Sequence, residues 1–199
     1  MASEVDICNM ALRAINVKPI TVVGSPTSQA SVDCALFYPQ ARDKCLRDHA
    51  WNFATTAKEL TPFVVPSVWE NIYDYAYMYP TDGIKIRKVT QLGQKTGYKY
   101  KIVRAPTLEK IILTSIDEAV GEYTMAVVQT TWFDADFVAA AAALLASYLA
   151  KPLIGNSKKG LEMLQQYDRA IVAAKVVNAE EDGDQEEDED SWLASRSLI

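Results

Sequence analysis

Few residues of this 199-residue chain are of types that do acid–base or metal chemistry. His49 is the only histidine, which excludes a metal site with two histidine ligands and favours a structural role for His49. Three cysteines, Cys8, Cys34 and Cys45, lack metal-ligand spacing and are expected to be reduced; the helical pattern around Cys34 and Cys45 would make these two small apolar core residues. No serine lies in a nucleophile-elbow context and no glycine-rich phosphate loop occurs. These residues disfavour an enzyme, and we expect no cofactor.

Basic residues are concentrated between positions 84 and 110. This stretch holds one acid, Glu109, and eight cations: Lys85, Arg87, Lys88, Lys95, Lys99, Lys101, Arg104 and Lys110. Alternation along two predicted strands would place the charges of each strand on one face. Such a face could contact DNA phosphates or an acidic partner, although a solvated strand face explains the same pattern.

Acidic residues are concentrated near the C-terminus. Residues 180–190 contain nine acids, and residues 1–179 carry a net charge of about +2 although the whole chain carries −6. The acidic run is by default a solvated spacer. It leads to residues 191–199, which include Trp192, and an aromatic residue beyond a charged linker has no local core to enter. We therefore expect this segment to dock on a neighbouring subunit or another partner.

Two helices are predicted in the first quarter of the chain. Apolar residues at helical spacing predict a helix over residues 3–15 and a longer one over residues 28–50, with a loop through residues 23–28 between them. Pro39 lies inside the second helix. It removes a backbone donor, so we expect either a kink or restart there, or a break into two shorter helices.

Short runs rich in β-branched and aromatic residues follow. They predict strands at residues 63–65, 84–89, 98–103, 110–114 and 122–129. Residues 80–83 and 93–97 have the composition of turns between strands. This part of the chain is predicted to be a β-rich insertion of modest size.

Helical patterning returns after this insertion. Asp134 or Asp136 would cap an alanine-rich helix, and Asn156 or Ser157 a second helix that continues to about residue 178. The second helix is predicted to bury one apolar stripe, made of Leu161, Leu164, Ile171 and Ala174. The longest uncharged run, residues 137–150, is too short to span a bilayer, and the first residues lack a signal-peptide pattern, so we expect a non-secreted chain without membrane insertion.

The predicted fold class is α+β. A helical bundle forms from the N- and C-terminal segments, residues 1–57 and 134–179. An antiparallel β-rich domain, residues 58–133, is inserted between them. The acidic spacer and an extended C-terminal docking arm occupy residues 180–199.

Several sequence elements resemble a known family, and the most specific of them lie before residue 55. The run of residues 37–43, FYPQARD, is followed by Leu46 and by HAWNFA at residues 49–54, and together they resemble the signature of tail tubular protein A, the head-to-tail adaptor of short-tailed, podovirus-like bacteriophages. The residues that carry the motif are Tyr38, Pro39, Arg42, Asp43, Trp51, Asn52 and Phe53. The ICNMAL run at residues 7–12 and the terminal DSWLASR resemble the same family. The β insertion resembles the family only in its general composition, without a matching motif. Relatives often carry proline where this chain has Ala50.

The resemblance implies a structural virion protein at the head–tail junction, assembled in the cytoplasm of the bacterial host. Adaptors of this family form a ring, generally of twelve subunits, which joins the portal protein to the tail nozzle and leaves an axial channel for DNA. By analogy the arm would bind the portal through Ser191, Trp192, Leu193, Arg196 and Leu198. The basic strand residues Lys85, Arg87, Lys88, Lys99, Lys101 and Arg104 would face the nozzle or touch passing DNA. Trp51 and Phe53 are expected to anchor helix packing.

Two other functions remain open at this point. The basic strands could make the chain a nucleic-acid-binding module, which predicts salt-dependent DNA binding by the monomer. A tail hydrolase that degrades peptidoglycan would need a pair of carboxylates, and the sequence points to none. The acidic spacer followed by an aromatic segment is explained by assembly and by neither of these functions.

Overall fold

The computed structural model describes residues 2–181 and shows an α+β fold, as predicted. Within these residues there are four α-helices: α1 (Glu4–Ala14), α2 (Gln29–Asp48), α3 (Ala135–Ile154) and α4 (Ser157–Glu181). Seven strands lie between α2 and α3: β1 (Thr55–Glu59), β2 (Pro62–Phe63), β3 (Tyr75–Met78), β4 (Gly83–Gln91), β5 (Tyr100–Arg104), β6 (Lys110–Thr114) and β7 (Ala119–Met125).

Helix α3 is the centre of the helical body, which consists of α1 to α4. It packs against α1, α2 and α4, and most of its alanines are buried. Small side chains let the neighbouring backbones approach closely, which explains the alanine-rich sequence. Within the described chain, α3 is the one helix whose length and hydropathy would allow it to cross a membrane; 61% of its most apolar window is buried against the rest of the protein, and core helices share this composition.

Local signals define the helix ends. Ser3 and Asp6 form a reciprocal capping box at the start of α1, and hydrogen bonds from Ser3 lower the pKa of Asp6. The side chain of Asn156 accepts a hydrogen bond from the backbone N–H of Lys159, which caps α4 as predicted. Between α3 and α4, Gly155 adopts a left-handed conformation with φ of 63°, which reverses the chain direction.

Helix α2 continues through Pro39 without interruption, so the alternative of two shorter helices is wrong. Tyr38 and Ala41 on either side of the proline are buried in the core of the helical body. Packing on both sides offsets the missing backbone hydrogen bond, because helix stability in proteins comes mainly from burying one face.

The buried face of α4 differs from the predicted stripe. Ile171 and Ala174 are buried as expected, and they share the buried face with Met163 and Tyr167. Leu161 and Leu164 are 57% and 37% exposed, so their part of the prediction is wrong. The helical period allows either the face with Leu161 and Leu164 or the face with Met163 and Tyr167 to be buried. Contact with α3 buries the face with Met163 and Tyr167.

The strands form two antiparallel sheets that pack on one another. The first sheet has the order β1-β7-β4 and the second the order β2-β3-β6-β5. Leu60, Tyr77, Ile86, Ile112 and Tyr123 belong to the shared core between the sheets. A smaller cluster on the other side of the second sheet joins Ala76, Ile111 and Leu113 to the loop residues Trp69 and Tyr73.

The β region, Thr55–Met125, differs in detail from the predicted strands. β6 has the predicted bounds, and the turns at residues 80–83 and 93–97 lie between strands as expected. β1 and β3 were not predicted, β2 and β5 are shifted, and β7 begins and ends earlier than predicted. Strands therefore begin before residue 58 and end well before residue 133.

Candidate functional site

The C-terminal end of α2 is the point at which the helical body and the β region are joined. We call residues 45–53 the α2 corner. The last carbonyl groups of a helix lack intrahelical donors and need other partners. At the α2 corner, side chains from three parts of the chain supply these donors. The first is Trp51, whose indole Nε1 donates to the Cys45 carbonyl at 2.9 Å.

Arg87 reaches the α2 corner from β4. Its guanidinium Nη2 donates to the carbonyls of Leu46 at 3.0 Å, of Arg47 at 3.1 Å and of His49, while Nε donates to the Thr124 hydroxyl at 2.8 Å. Because Nη2 carries two N–H groups, at least one of them is shared between two of these carbonyls, as in a three-centre hydrogen bond. Burial lowers the pKa of Arg87. Arg87 was predicted to face a nozzle or DNA, and the structure engages its guanidinium within the chain.

Helix α4 contributes the third set of donors through Asn178. Its amide Nδ2 donates to the Ala50 carbonyl and to Nε2 of His49, both at 2.9 Å. Because a carbonyl can only accept, this orientation makes His49 Nε2 an acceptor and leaves its proton on Nδ1. Burial, together with the nearby charges of Arg87 and Lys175, lowers the pKa of His49. The predicted structural role of His49 agrees with this geometry.

Aromatic rings fill the space behind the α2 corner. Trp51 is 1% exposed and meets Phe137 of α3 edge-on at 5.1 Å between ring centroids. Phe53 contacts the same ring at 5.2 Å and Phe133 at 5.7 Å. The prediction that Trp51 and Phe53 anchor helix packing is confirmed. Asn52 lies between them in a short 3₁₀ helix, Asn52–Ala54.

The earlier part of the family motif lies within α2. Tyr38 is 3% exposed, and burial raises its pKa to about 12. Its buried hydroxyl has no hydrogen-bond partner among residues 2–181. Arg42 pairs with the adjacent Asp43 at 2.7 Å, and Pro39 lies in the middle of the helix. These residues lie within α2, before the α2 corner.

The predicted basic residues are divided between two sheets. Lys85, Arg87 and Lys88 lie on β4 of the first sheet, whereas Lys101 and Arg104 lie on β5 of the second sheet. Residues 84 and 87 lie at irregularities in the β4–β7 register. The shift at position 87 allows Ile86 and Val89, three positions apart, to be buried together. Strict alternation therefore fails on β4.

Three cations on β5 or directly before it, here called the cations of β5, belong to the predicted basic stretch and are exposed. Lys99, Lys101 and Arg104 are exposed, and none of them forms an ion pair within residues 2–181. Lys101 Nζ lies 4.1 Å from the ring centroid of Trp69, a cation–π contact that leaves the charge at the surface. β5 is the last strand of its sheet, so these three cations lie along a sheet edge.

Exposed apolar side chains occur on the outer faces of two helices. Val32 and Leu36, one turn apart on α2, are 40% and 56% exposed. Val172 and Val176, one turn apart on α4, are 62% and 57% exposed. Such pairs on a helix form continuous apolar strips that suit contacts with another protein surface.

The remaining predicted residues can be placed only in part. All five portal-binding candidates, Ser191, Trp192, Leu193, Arg196 and Leu198, lie outside the described residues. Cys8, Cys34 and Cys45 are buried and free, as expected of core thiols. Within residues 2–181, no group of three or more histidine, cysteine or acidic residues is arranged to hold a metal ion.

No protein-family model matches the chain, and a search of the curated proteins finds no similar protein.

Two roles at this site could not be found by reading residue types alone. Arg87 has the same charge as the exposed residues Lys99, Lys101 and Arg104, and only the fold shows that it reaches the carbonyls of α2. Asn178 lies 129 positions from His49, and a single sequence carries no signal of that pairing. The one available signal was the position of His49 directly after a long amphipathic helix.

Proposed function

We propose that this chain is a structural virion protein, an adaptor that joins the portal to the tail nozzle in a short-tailed bacteriophage. Copies of the chain would form a ring, with twelve subunits as the expected number, around an axial channel for DNA. The ring would lie at the head–tail junction after assembly in the host cytoplasm.

The observation that carries the proposal is the pair of apolar strips on two different helices of the helical body. A ring needs two different surfaces on each subunit, because head-to-tail contacts close into a cycle. The strips at Val32 and Leu36 of α2 and at Val172 and Val176 of α4 supply two such surfaces. The motif resemblance supports the same reading, since its residues build α2 and the α2 corner that fix these helices relative to one another.

The β region would supply the surfaces that face other parts of the virion. Its exposed cations Lys99, Lys101 and Arg104 lie on a sheet edge, where they could meet an acidic nozzle surface or passing DNA. Three separate charges give weak, sequence-independent attraction to phosphate, which is compatible with DNA that must move past.

The test is assembly on portal rings made from the portal protein of the same phage genome. The double variant Val32→Asp, Leu36→Asp should reduce the number of copies bound per portal, because charged residues would enter the contact between subunits. The matched variant Leu92→Asp changes a residue that is 49% exposed in the β region and should assemble normally. Equal assembly by both variants would remove the α2 strip from the proposal.

The role of the arm is tested separately with a chain that ends at Glu181. Under the proposal this chain keeps its fold and loses attachment to the portal, because residues 191–199 supply the docking segment. Undiminished attachment would show that the portal contact lies in the body instead.

A DNA-binding module is the second candidate, and the exposed, unpaired cations of β5 favour it. It predicts that the monomer binds DNA and that affinity falls steeply as salt rises. Replacing Lys99, Lys101 and Arg104 by glutamine should then abolish binding and leave assembly on the portal unchanged. Absence of DNA binding by the unaltered chain at low salt would eliminate this candidate.

A further inference from the structure

An apolar groove lies between the last turns of α3 and the first turns of α4. It has a volume of about 340 Å³. Leu161 and Leu164 flank it with 57% and 37% of their surfaces exposed. The residues that line it are Ser147, Tyr148, Lys151, Ser157, Gly160, Leu161 and Leu164. Two leucines and a tyrosine in a concave surface suit a large apolar side chain better than they suit water.

The shape of the groove is fixed by a close approach of the two helices. A Cβ atom at Gly160 would lie 3.1 Å from the carbonyl oxygen of Ser147 and 3.5 Å from Cβ of Ala150. Small residues at this crossing bring the backbones together, so the larger side chains stand at the sides of a depression. The cap at Asn156 and the left-handed Gly155 hold the start of α4 in place.

We propose that Trp192 and Leu193 of the same chain dock in this groove while the protein is free. These are the large apolar residues that follow the acidic run, and their side chains match the apolar lining. This inference stands without the proposed function. If that function holds, the portal competes with the groove for the same segment.

The length of the chain permits this contact. Leu161 precedes Glu181 by about 20 helical residues, which is about 30 Å of helix at about 1.5 Å per residue. Trp192 follows Glu181 by about 11 residues, which can span up to about 36–40 Å. The segment can therefore return along α4 from its C-terminal end and reach the groove at its N-terminal end.

Charge complementarity favours the same path. Positions 151–178, most of them on α4, contain five cations and two acids, whereas residues 180–190 contain nine acids. Lys151 and Lys158 are exposed beside the groove, and Arg169 and Lys175 are exposed farther along α4. An acidic run that lies along this helix gains attraction over its whole length, which guides the apolar residues toward the groove.

Disulfide trapping in the full-length free chain tests the contact. The variant Ser157→Cys, Ser191→Cys places one thiol at the groove and one beside Trp192. Mild oxidation should give a bond within one chain, seen as a monomer that migrates faster on a non-reducing gel, with a yield independent of protein concentration. The unaltered chain, whose three native cysteines are buried, controls for native thiols. The pair Leu108→Cys, Ser191→Cys controls for random encounters, because Leu108 is 73% exposed in the β region.

A second pair of variants tests the apolar groove itself. Leu161→Ser with Leu164→Ser, added to the trapping pair, should reduce the trapping yield severalfold. Val64→Ser with Val68→Ser makes matched changes at positions that are 80% and 79% exposed in the β region and should leave the yield unchanged. Higher salt should slow trapping, because the acidic run guides the segment.

Three results would overturn the inference. They are cross-links only between chains, a yield equal to that of the Leu108 pair, or a yield insensitive to the leucine substitutions. None of these results involves the portal, so each is distinct from a failure of the adaptor proposal.

Discussion

The helical body and the β region are stabilised in different ways. The body has one continuous core around α3, and hydrogen bonds from Trp51, Arg87 and Asn178 meet at the α2 corner. The β region divides its apolar residues between a core shared by two sheets and a smaller cluster beneath the loop that carries Trp69. A large single core suits a scaffold that must keep its shape, whereas two thin layers leave a greater share of side chains free to form surfaces.

The two regions also use their charges differently. Arg87 is built into the α2 corner, where it bonds carbonyl groups of the body. Lys99 and Arg104, on or beside the strand that follows in the chain, are exposed and without ion pairs among the described residues. The comparison shows that equal charge on similar strands can be hydrogen-bonded within the chain in one place and exposed at the surface in another.

Trp51→Ala should have the largest effect on stability. The change leaves a cavity among His49, Phe53 and Phe137 and removes the donor to the Cys45 carbonyl. We expect a loss of about 3–5 kcal/mol in the free energy of unfolding, measured by denaturant titration. Trp132→Ala, at a position that is 53% exposed, is the control and should cost much less. A small loss for Trp51→Ala would contradict the central place of the α2 corner.

Arg87→Met should come next. It keeps much of the apolar stem and leaves the carbonyls of Leu46, Arg47 and His49 without their guanidinium donor. Unsatisfied buried acceptors cost about 1–3 kcal/mol, so unfolding should shift by that amount. Lys99→Met removes an exposed charge directly before β5, the next strand in the chain. It should change the free energy of unfolding by less than about 0.5 kcal/mol. Similar losses of stability in the two variants would contradict the difference between Arg87, which is hydrogen-bonded to the helical body, and the exposed Lys99.

Gly121→Ala tests the core between the sheets. A Cβ atom there would lie 2.8 Å from Cδ2 of Leu60, which is itself buried. Overpacking of this kind costs about 1–3 kcal/mol. Gly97→Ala meets only the long side chain of Lys88, which can move aside, and is the matched control. If Gly121→Ala were neutral, the two sheets would be packed more loosely than the structure indicates.

Mild acid should produce the smallest of these effects. Burial keeps His49 neutral, so its pKa is lower in the folded chain than in the unfolded one. The unfolded chain therefore binds more protons as the pH falls below about 6.5, and this contribution to stability declines until the folded pKa is passed. Arg87 and Lys175 oppose protonation, and Asp48 nearby is engaged by Lys44 and Tyr167.

The measurement is the melting temperature between about pH 7.5 and pH 5.5, a window in which carboxylates titrate little. His49→Gln should flatten the pH dependence in this window. An unchanged slope in the variant would exclude His49 as its source.

Sequence patterns predicted the helices well because each helix buries one periodic face and carries recognisable caps. Ser3 caps α1, Asn156 caps α4, and Asp134 directly precedes α3. The residue types alone indicated these three helix starts. The strands were predicted less accurately. β1 and β3 are short, and they are strands because they pair with β7 and β6, respectively. Local composition does not encode such pairings.

The residues of the candidate site were also predicted only in part. The packing of Trp51 and Phe53 against the core was predicted because aromatic residues after an amphipathic helix lie next to a core; Trp51 is buried and Phe53 partly buried. The division of the basic residues was not predicted, because a register shift at Arg87 breaks the alternation on which the prediction rested. The exposed leucines of α4 were also missed, since two faces of that helix have a helical apolar period.

The most direct test of the adaptor proposal is the mass and negative-stain image of the full-length chain with portal rings of the same phage genome. The proposal predicts a cap of regular copy number on one end of each portal, with an open axial channel. A chain that remains monomeric and leaves the portal bare would contradict it.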